Sequence, residues 1–500
     1  MLLKPTADDF KIVGFHLGRL VVALGLVLFI PLICAIFFNE TEEILNYSLS
    51  IALSICIGLL LQIINFTRKD LNWLHGMAVA SSSWLVAMLI GAIPLFLSGF
   101  YASYLDACFE AMSGFATTGL SLVIVKNHIS NATNMWRHLI MFLGGQGIVV
   151  IGLTFFIKGT AGAYRMYVGE ARDEKVLPNV IQTARFIWII SLVYLFIGTI
   201  LLGLAGYYIG MEPVNAFLHG MWIFMAAFDT GGFGPQGQNI LYYHSGIYET
   251  IIIFFMLLGT INFGVHYAVW GRNFKEPFKN IETKTLFFSI LILTFFVFVG
   301  LLRHQTYGDF ISLFRKGFFH LVSGHSGTGY MTIYAQQFAT EWKNLTMFFI
   351  MIAMGIGGSA CSTAGGMKVL RLGIFFKALG QDIKKVMLPG RAIIVSKFHH
   401  LRLIILREEH VRSALMLIIL FILLYLFGTA AGVLYGYPLY QAAFESVSAA
   451  ANVGLSCGIT DTTMPTGLKI IYILQMWVGR LEFISIFGLL GFLYAKLKGR

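Results

Sequence analysis

The string ATTGL at residues 116–120 recurs in altered form three times, as DTGGF at 229–233, SGTGY at 326–330 and ANVGL at 451–455. Each string follows a moderately apolar segment, and the four segments cover about 104–115, 213–228, 310–325 and 438–450. The strings align on Gly119, Gly232, Gly329 and Gly454, each preceded at ten residues by an aromatic side chain. None of the segments reaches the roughly 20 apolar residues that a membrane-spanning helix needs. The chain therefore contains an internal repeat, and such a repeat determines the fold class.

Long apolar stretches flank the repeated segments. Hydrophobic residues make up 57% of the 500 residues and charged residues only 12%, whereas soluble globular chains carry about 25% charged residues. The apolar stretches do not alternate with polar residues as the strands of a membrane barrel do, so they predict helices. About ten are long enough to span a bilayer, at 14–37, 48–66, 77–98, 135–157, 186–209, 247–270, 286–302, 345–367, 412–435 and 469–494. The sequence predicts an all-α polytopic membrane protein.

The repeat organises these spans into units. We expect the last eight spans to form four units of span, re-entrant pore helix and span around a central ion pore. The predicted boundaries are 1–70 for two additional N-terminal spans, 71–170 for the first unit, 171–280 for the second, 281–400 for the third with a broken helix and a basic cytoplasmic segment, and 401–500 for the fourth.

The distribution of basic residues orients the bundle. With the N-terminus in the cytoplasm, 27 of the 35 Lys and Arg residues fall on the inner side and 7 on the outer side. This asymmetry predicts a multi-pass protein with both termini cytoplasmic. The net charge of +11 then reflects loops beside a lipid bilayer and not a nucleic-acid partner. The basic segment 368–412 fits either lipid contact or docking of a regulatory subunit, and charge alone does not separate them.

The four glycine strings have a physical use at membrane depth. Backbone that is not helical survives there only where it is buried in protein or lines a watery cavity. Each re-entrant helix would point its partially negative C-terminal end inward, and the turn after it would offer backbone carbonyls and threonine hydroxyls. Such groups can replace the water shell of a cation. Close packing between helices is the alternative for one glycine, but four glycines at matching positions favour an ion site.

Further strings carry a family resemblance: RHLIMFLGGQGIVVIGL at 137–153, FMLLGTINFGVHY at 255–267, GGSACSTAGGMKVLR at 357–371 and GRLEF at 479–483. Together with the four glycine strings, they resemble the Trk/Ktr/HKT superfamily of potassium transporters, most of all the bacterial Trk membrane subunit. The resemblance implies potassium uptake across the cytoplasmic (inner) membrane of a bacterium, by a homodimer that a cytoplasmic NAD- or ATP-binding ring regulates. It implies K⁺ as the transported ion, no bound organic cofactor and no enzymatic activity.

The resemblance also implies a selectivity filter. Its residues are Thr117, Thr118, Gly119, Thr230, Gly231, Gly232, Gly327, Thr328, Gly329, Asn452, Val453 and Gly454. Gly327 stands where the family usually has Thr, and the second string reads Thr-Gly-Gly where an Asn-Ala-Gly type is common. Both departures loosen the backbone and leave the degree of selectivity for potassium over sodium open, whereas Gly119 favours potassium.

The string GIGGSACSTAGGMK at 355–368 has five Gly in 14 residues, and a helix loses about 1 kcal/mol for each Gly relative to Ala. It predicts an unwound intramembrane loop, with a small-residue packing face as the alternative. The resemblance implies a gate formed by Gly357, Gly358, Ser359, Ala360, Cys361, Ser362, Thr363, Ala364, Gly365, Gly366 and Arg480. Because residues two apart on a helix point in different directions, we expect loop carbonyls rather than Glu482 to hydrogen-bond Arg480.

The sequence leaves other roles and functions open. Glu110 and Glu445 lie nine residues before their aligned glycines, and either attract cations or anchor the re-entrant helices by hydrogen bonds. A sodium-coupled secondary transporter is an alternative function, although such proteins usually have two related halves. An integral membrane enzyme would need clustered His, Asp or Glu side chains within the membrane, and the sequence indicates no such cluster.

Overall fold

The computed structural model describes residues 5–69, 71–147, 180–389 and 395–498. Helices make up most of them: Ala7–Val27, Phe29–Phe37, Thr41–Ile64, Trp73–Leu97, Tyr104–Phe115, Asn131–Gln146, Val180–Tyr208, Pro213–Phe228, Gly246–Thr260, Phe263–Trp270, Glu276–Lys279, Ile281–Arg303, Phe310–Ser326, Ala335–Gln337, Lys343–Ile356, Val369–Met387, Glu408–Leu434, Leu439–Ala450, Thr466–Leu481 and Ile484–Lys498. Strands Lys397–His400 and Arg402–Ile405 form one antiparallel hairpin, with Phe398 opposite Ile404. The all-α membrane fold predicted from the sequence is confirmed.

Within these described residues, six helices are long and apolar enough to cross a bilayer, or up to eight spans if each bent helix pair counts as one. The six correspond to the predicted spans 14–37, 48–66, 77–98, 186–209, 286–302 and 412–435. Six of the ten predicted spans are thus long apolar helices among the described residues. Three of the other four predicted spans depart from a single straight helix, and the fourth is described only in part.

Two predicted spans are bent pairs. The span predicted at 247–270 bends by 101° between Thr260 and Phe263, and the span at 469–494 bends by 109° between Leu481 and Ile484. In the second pair Glu482 and Phe483 both take positive φ angles, which an α-helix does not allow. The expected span 345–367 stops as helix at Ile356.

The span predicted at 135–157 is helical as Asn131–Gln146, and its remainder, 148–157, lies outside the described residues. The expected boundary between the first two units, at 170/171, lies outside them as well.

Four short helices lie between the longer ones and end at the four glycine strings. They are Tyr104–Phe115, Pro213–Phe228, Phe310–Ser326 and Leu439–Ala450. In three of them, side-chain oxygens of Ser103, Glu212 and Asp309 accept hydrogen bonds from backbone N–H groups in the first turn. These N–H groups have no partner within the helix, so such capping stabilises the helix start. Their C-terminal halves are buried, so these helices dip into the protein and do not cross it.

Contacts at the two ends of the bundle show which segments share a side. At one end, Asp9 lies 2.8 Å from His75 and Phe10 lies 4.9 Å from Phe492 between ring centres. The segments near both termini therefore meet on the same side. At the other end, Glu40 accepts a hydrogen bond from the backbone N–H of Asn131 at 2.7 Å.

Candidate functional site

The four glycine strings form the same backbone turn. The residue two before each aligned glycine has a positive φ: Thr117 at 52°, Thr230 at 52°, Gly327 at 78° and Asn452 at 54°. In each turn the N–H of the residue just before the aligned glycine donates to the carbonyl oxygen five residues earlier in the chain, at distances between 2.7 and 2.9 Å. The N–H of the residue with positive φ donates to the carbonyl oxygen three residues earlier. This pair of bonds ends a helix in the Schellman motif. We name the turns by chain order: turn 1 is residues 117–119, turn 2 is 230–232, turn 3 is 327–329 and turn 4 is 452–454.

The turns close into a ring through their glycines. A Cβ atom added to Gly119 would lie 2.3 Å from the Gly231 oxygen of turn 2, and one added to Gly232 would lie 2.0 Å from the Thr328 oxygen of turn 3. The same construction on Gly329 meets the turn 4 oxygen of Val453 at 1.9 Å. On Gly454 it meets the turn 1 oxygen of Thr118 at 2.0 Å. All four glycines have φ between 75° and 93°. Each turn thus touches the next, and the fourth touches the first.

Polar side chains add to the ring. The amide of Asn452 in turn 4 donates to the hydroxyl of Thr118 in turn 1 at 3.1 Å, and the Thr328 hydroxyl lies 2.7 Å from that of Ser326. The twelve filter residues predicted from the sequence are therefore brought together, with the hydroxyl groups of turns 1 to 3 fully buried. Chemically, the ring concentrates carbonyl and hydroxyl oxygens, which are ligands for a cation that has lost water.

Glu110 and Glu445 hold the segments that leave the ring. Both are fully buried. Glu110 accepts hydrogen bonds from the Ser121 hydroxyl and the Leu122 N–H, each at 3.0 Å. Glu445 accepts one from the Cys457 N–H at the equivalent position, also at 3.0 Å. Of the two roles considered from the sequence, these contacts favour anchoring.

Three further glycines position the re-entrant helices, and the sequence reasoning missed them. A Cβ on Gly144 would lie 1.8 Å from the Phe115 oxygen, and one on Gly259 would lie 1.8 Å from the Phe228 oxygen. Gly479 approaches Ala450 in the same way at 1.9 Å. The available signal was their spacing, 25, 27 and 25 residues after the aligned glycine of the same unit.

The intramembrane loop, residues 357–366, lies directly against the ring. The Thr363 hydroxyl is 3.4 Å from the Thr230 hydroxyl of turn 2 and donates to the Gly259 oxygen at 2.8 Å. A Cβ on Gly365 would lie 2.2 Å from the oxygen of Ala451, the residue before turn 4. The predicted unwound loop is thus observed: Gly357 ends the helix with φ 70°, and Gly366 has φ 81°.

Arg480 joins the loop to the ring. Its Nη1 donates to the Thr363 oxygen at 2.6 Å and to the Thr117 hydroxyl of turn 1 at 3.2 Å, and its Nη2 donates to the Gly144 oxygen at 2.7 Å. A loop carbonyl was the hydrogen-bond partner expected from the sequence. The Arg480 guanidinium therefore connects turn 1, the intramembrane loop and the end of the helix Asn131–Gln146.

Glu482 has a different role from Arg480. Its carboxylate pairs with Arg371 and lies 3.7 Å from the ammonium of Lys368. Both cations immediately follow the intramembrane loop, and Lys368 also donates to the Ala364 oxygen of that loop. The bend in the last span is thus linked to the end of the loop, a contact that spacing along the chain did not indicate.

These features define a class of protein: a polytopic membrane protein in which four re-entrant helix–turn segments meet in one closed ring of turns. Residues 44–490 match the family model described as TrkH, cation transport protein. The chain belongs to this family, whose members are transport proteins and not enzymes.

Individual relatives match over nearly the full length. An uncharacterized cation transporter of Methanocaldococcus jannaschii is 30% identical over 502 residues, covering 99% of this chain and 98% of the relative. The Trk system potassium uptake protein TrkH of Escherichia coli K12 is 25% identical over 483 residues, covering 95% and 96%. The crystal structure of the potassium transporter TrkH from Vibrio parahaemolyticus aligns with a TM-score of 0.80 at 22% identity, covering 96% of this chain and 98% of that one, so the fold is shared.

Proposed function

We propose that this protein takes up potassium ions across the cytoplasmic membrane, through an opening at the centre of the ring of turns. The observation that carries the proposal is the ring itself, in which turn 4 contacts turn 1 as closely as the other turns contact one another. A closed ring can surround an ion with oxygen atoms from all four units at once. The names of the Escherichia coli and Vibrio relatives support potassium as the ion.

The intramembrane loop and Arg480 form the gate in this proposal. The loop lies against turns 2 and 4, and Arg480 places a positive charge beside turn 1. A cation 4 Å from such a charge is repelled by roughly 4 kcal/mol at an effective dielectric constant near 20. Conduction therefore requires Arg480 to move away or to be screened. Arg480→Ala should raise ion flux, measured in vesicles, and unchanged flux in a folded variant would remove Arg480 from the pathway.

Partners and orientation complete the proposal. We infer a homodimer with both termini in the cytoplasm and a nucleotide-binding regulatory ring docked there. The basic residues of segment 368–412 and the meeting of the terminal segments at one end of the bundle support this orientation. Flux through the purified chain that responds fully to nucleotide without a partner would contradict the regulatory ring.

The deciding experiment is rubidium flux into proteoliposomes without a sodium gradient. Wild-type protein should carry Rb⁺ down its own gradient, because the oxygen ring needs no coupling ion. Gly454→Ala, which would place a Cβ against the Thr118 oxygen, tests whether the ring carries the ion. Gly458→Ala is its matched control, since Gly458 has φ 103° but its Cβ would meet only the Gln336 side chain at 3.5 Å. Flux that appears only with a sodium gradient would instead favour the sodium-coupled transporter.

A further inference from the structure

A groove of about 850 Å³ lies between the helices Ile281–Arg303 and Val369–Met387, beside the strand hairpin. Four lysines line this groove, and all four are exposed: Lys279, Lys284, Lys377 and Lys397. Within residues 5–69, 71–147, 180–389 and 395–498, none of these lysines forms an ion pair. The groove therefore carries uncompensated positive charge.

The nearby carboxylates are engaged elsewhere. Glu276 lies 3.0 Å from His399. Glu282 is buried and accepts hydrogen bonds from the Ala360 N–H at 2.6 Å and from the Asn262 amide at 3.0 Å. Although His399 also lines the groove, both carboxylates are buried, and neither forms an ion pair with one of the four groove lysines.

The same groove has an apolar wall. Phe288, Ile292 and Phe376 line it and are exposed by 56%, 54% and 57%. Lys284, Phe288 and Ile292 follow one another at intervals of four residues, so they share one face of the helix Ile281–Arg303. That helix has a mean hydropathy of 2.7 in its most apolar window and is a candidate membrane span. On this face, the charged Lys284 near the start of the helix is thus followed directly by exposed apolar side chains that we expect to contact lipid.

We propose that this groove binds an anionic phospholipid. The phosphate headgroup would lie among the four lysines, and an acyl chain would lie along Phe288 and Ile292. Basic grooves between membrane helices on the cytoplasmic side have the charge and position to hold such headgroups. A water-soluble protein could cover the lysines, but the apolar wall continues about two helical turns into the candidate span, where a water-soluble protein does not reach.

The groove also touches both ends of the intramembrane loop. Ile356 is the last residue of the helix before the loop, Leu372 is in the first turn of the helix after it, and both line the groove. A Cβ on Gly373 would lie 2.8 Å from the Thr285 hydroxyl, so the two helices that form the groove are in direct contact. Lipid in the groove therefore stabilises one position of the loop ends. An effect of the bound lipid on ion flux rests on the proposed function, whereas lipid binding itself does not.

Lipid binding is tested on the full-length protein in detergent, by native mass spectrometry with phosphatidylglycerol and phosphatidylcholine titrated separately. Wild-type protein should bind phosphatidylglycerol more tightly than phosphatidylcholine. Replacing the four groove lysines, as Lys279→Gln with Lys284→Gln, Lys377→Gln and Lys397→Gln, should weaken phosphatidylglycerol binding about tenfold or more. Glycerol phosphate, which has the charge but no acyl chain, should not displace the lipid.

The matched control removes four charges elsewhere, as Lys11→Gln, Lys275→Gln, Lys384→Gln and Lys498→Gln. It should bind phosphatidylglycerol like wild type. Equal weakening in both variants would overturn the proposal, because it would indicate attraction to the basic surface as a whole. Unchanged binding in the groove variant would overturn it too, and would leave these lysines to a soluble partner.

A second variant tests the apolar wall without changing charge. Phe376→Ser should weaken phosphatidylglycerol binding severalfold, because it removes part of the apolar wall of the groove. Rubidium flux is then compared in vesicles with and without phosphatidylglycerol. Wild-type flux that depends on the lipid, with loss of that dependence in the groove variant, supports the effect on the loop. Intact lipid binding in a protein that carries no Rb⁺ would contradict the proposed function and leave the lipid site standing.

Discussion

Glu110 in the first unit and Glu445 in the fourth occupy the same position and anchor the same kind of segment, but their charges are balanced differently. Glu110 receives Arg137, whose Nε and Nη2 lie 2.9 and 2.8 Å from one carboxylate oxygen. Glu445 instead accepts from the Ile459 N–H at 3.1 Å and the Thr460 hydroxyl at 2.9 Å, in addition to the anchoring bonds.

The difference shows two ways to bury a carboxylate. A full opposite charge compensates Glu110, whereas several oriented dipoles compensate Glu445. Removing one member of a buried ion pair strongly destabilises the fold, because the other charge stays buried without a partner. A set of dipoles loses less when the carboxylate becomes neutral. The first and fourth units should therefore respond differently to the same substitution.

The largest effect is expected where these two units meet in the ring. Gly454→Ala would place a Cβ 2.0 Å from the Thr118 oxygen, so turns 1 and 4 must separate. Selectivity for Rb⁺ over Na⁺ should be lost in proteoliposome flux. Gly458→Ala, in the same unit and without a ring contact, should keep it. Wild-type selectivity in Gly454→Ala would mean that the ring is not the filter.

The next effect concerns the ion pair of the first unit. Glu110→Gln leaves Arg137, which is 1% exposed, buried with its charge unbalanced. The protein should lose about 3–5 kcal/mol of unfolding free energy, measured by denaturation in detergent. Adding Arg137→Met should restore part of the loss. If the double variant were less stable than Glu110→Gln alone, charge compensation would not be the reason.

A smaller effect is expected for the equivalent change in the fourth unit. Glu445→Gln keeps one acceptor oxygen but weakens the bonds from Ser456, Cys457 and Thr460. The loss should be about 2 kcal/mol, as for hydrogen bonds to one charged group. The same denaturation experiment compares it with Glu110→Gln. Equal losses in the two variants would break the distinction between the two anchors.

The smallest effect is expected in turn 3, which separates backbone strain from ring contact. A Cβ on Gly327 would have its nearest neighbour at 3.4 Å, whereas one on Gly329 would lie 1.9 Å from the Val453 oxygen. Gly327→Ala should cost only about 1–2 kcal/mol for the left-handed conformation and keep Rb⁺ selectivity. Gly329→Ala should lose selectivity. A reversed order of the two variants would exclude the observed ring geometry.

The sequence predicted the parts of this arrangement that repeat. The four glycines align because each sits where a Cβ would strike a neighbouring turn, and the helices before them follow from length and hydropathy. Gly327 was taken as a departure that loosens the backbone. In the structure it occupies a left-handed position where Thr117 and Thr230 are strained, so glycine fits that turn without strain.

The parts that the sequence did not predict depend on contacts between distant residues. Glu482 pairs with Arg371, 111 residues earlier in the chain. Patterns of neighbouring residues do not indicate a contact at such a separation. The bend at Glu482 and Phe483 follows from the same tertiary contacts, since two non-glycine residues with positive φ persist only when their surroundings hold them. The hydrogen bonds of Arg480 were easier to predict from the sequence, because a charged side chain inside an apolar span needs buried acceptors.

Closure of the ring has a consequence for biosynthesis. Thr118 meets Gly454, which emerges from the ribosome more than 300 residues later, and Lys469 pairs with Asp106 at 2.5 Å across 363 residues. Contacts this distant in the chain form late and slow folding. Until the fourth unit is inserted, the first turn lacks one neighbour and Arg480 has not been made. The closed ring of turns and the charge beside it are therefore completed together, so a chain interrupted before residue 454 contains neither.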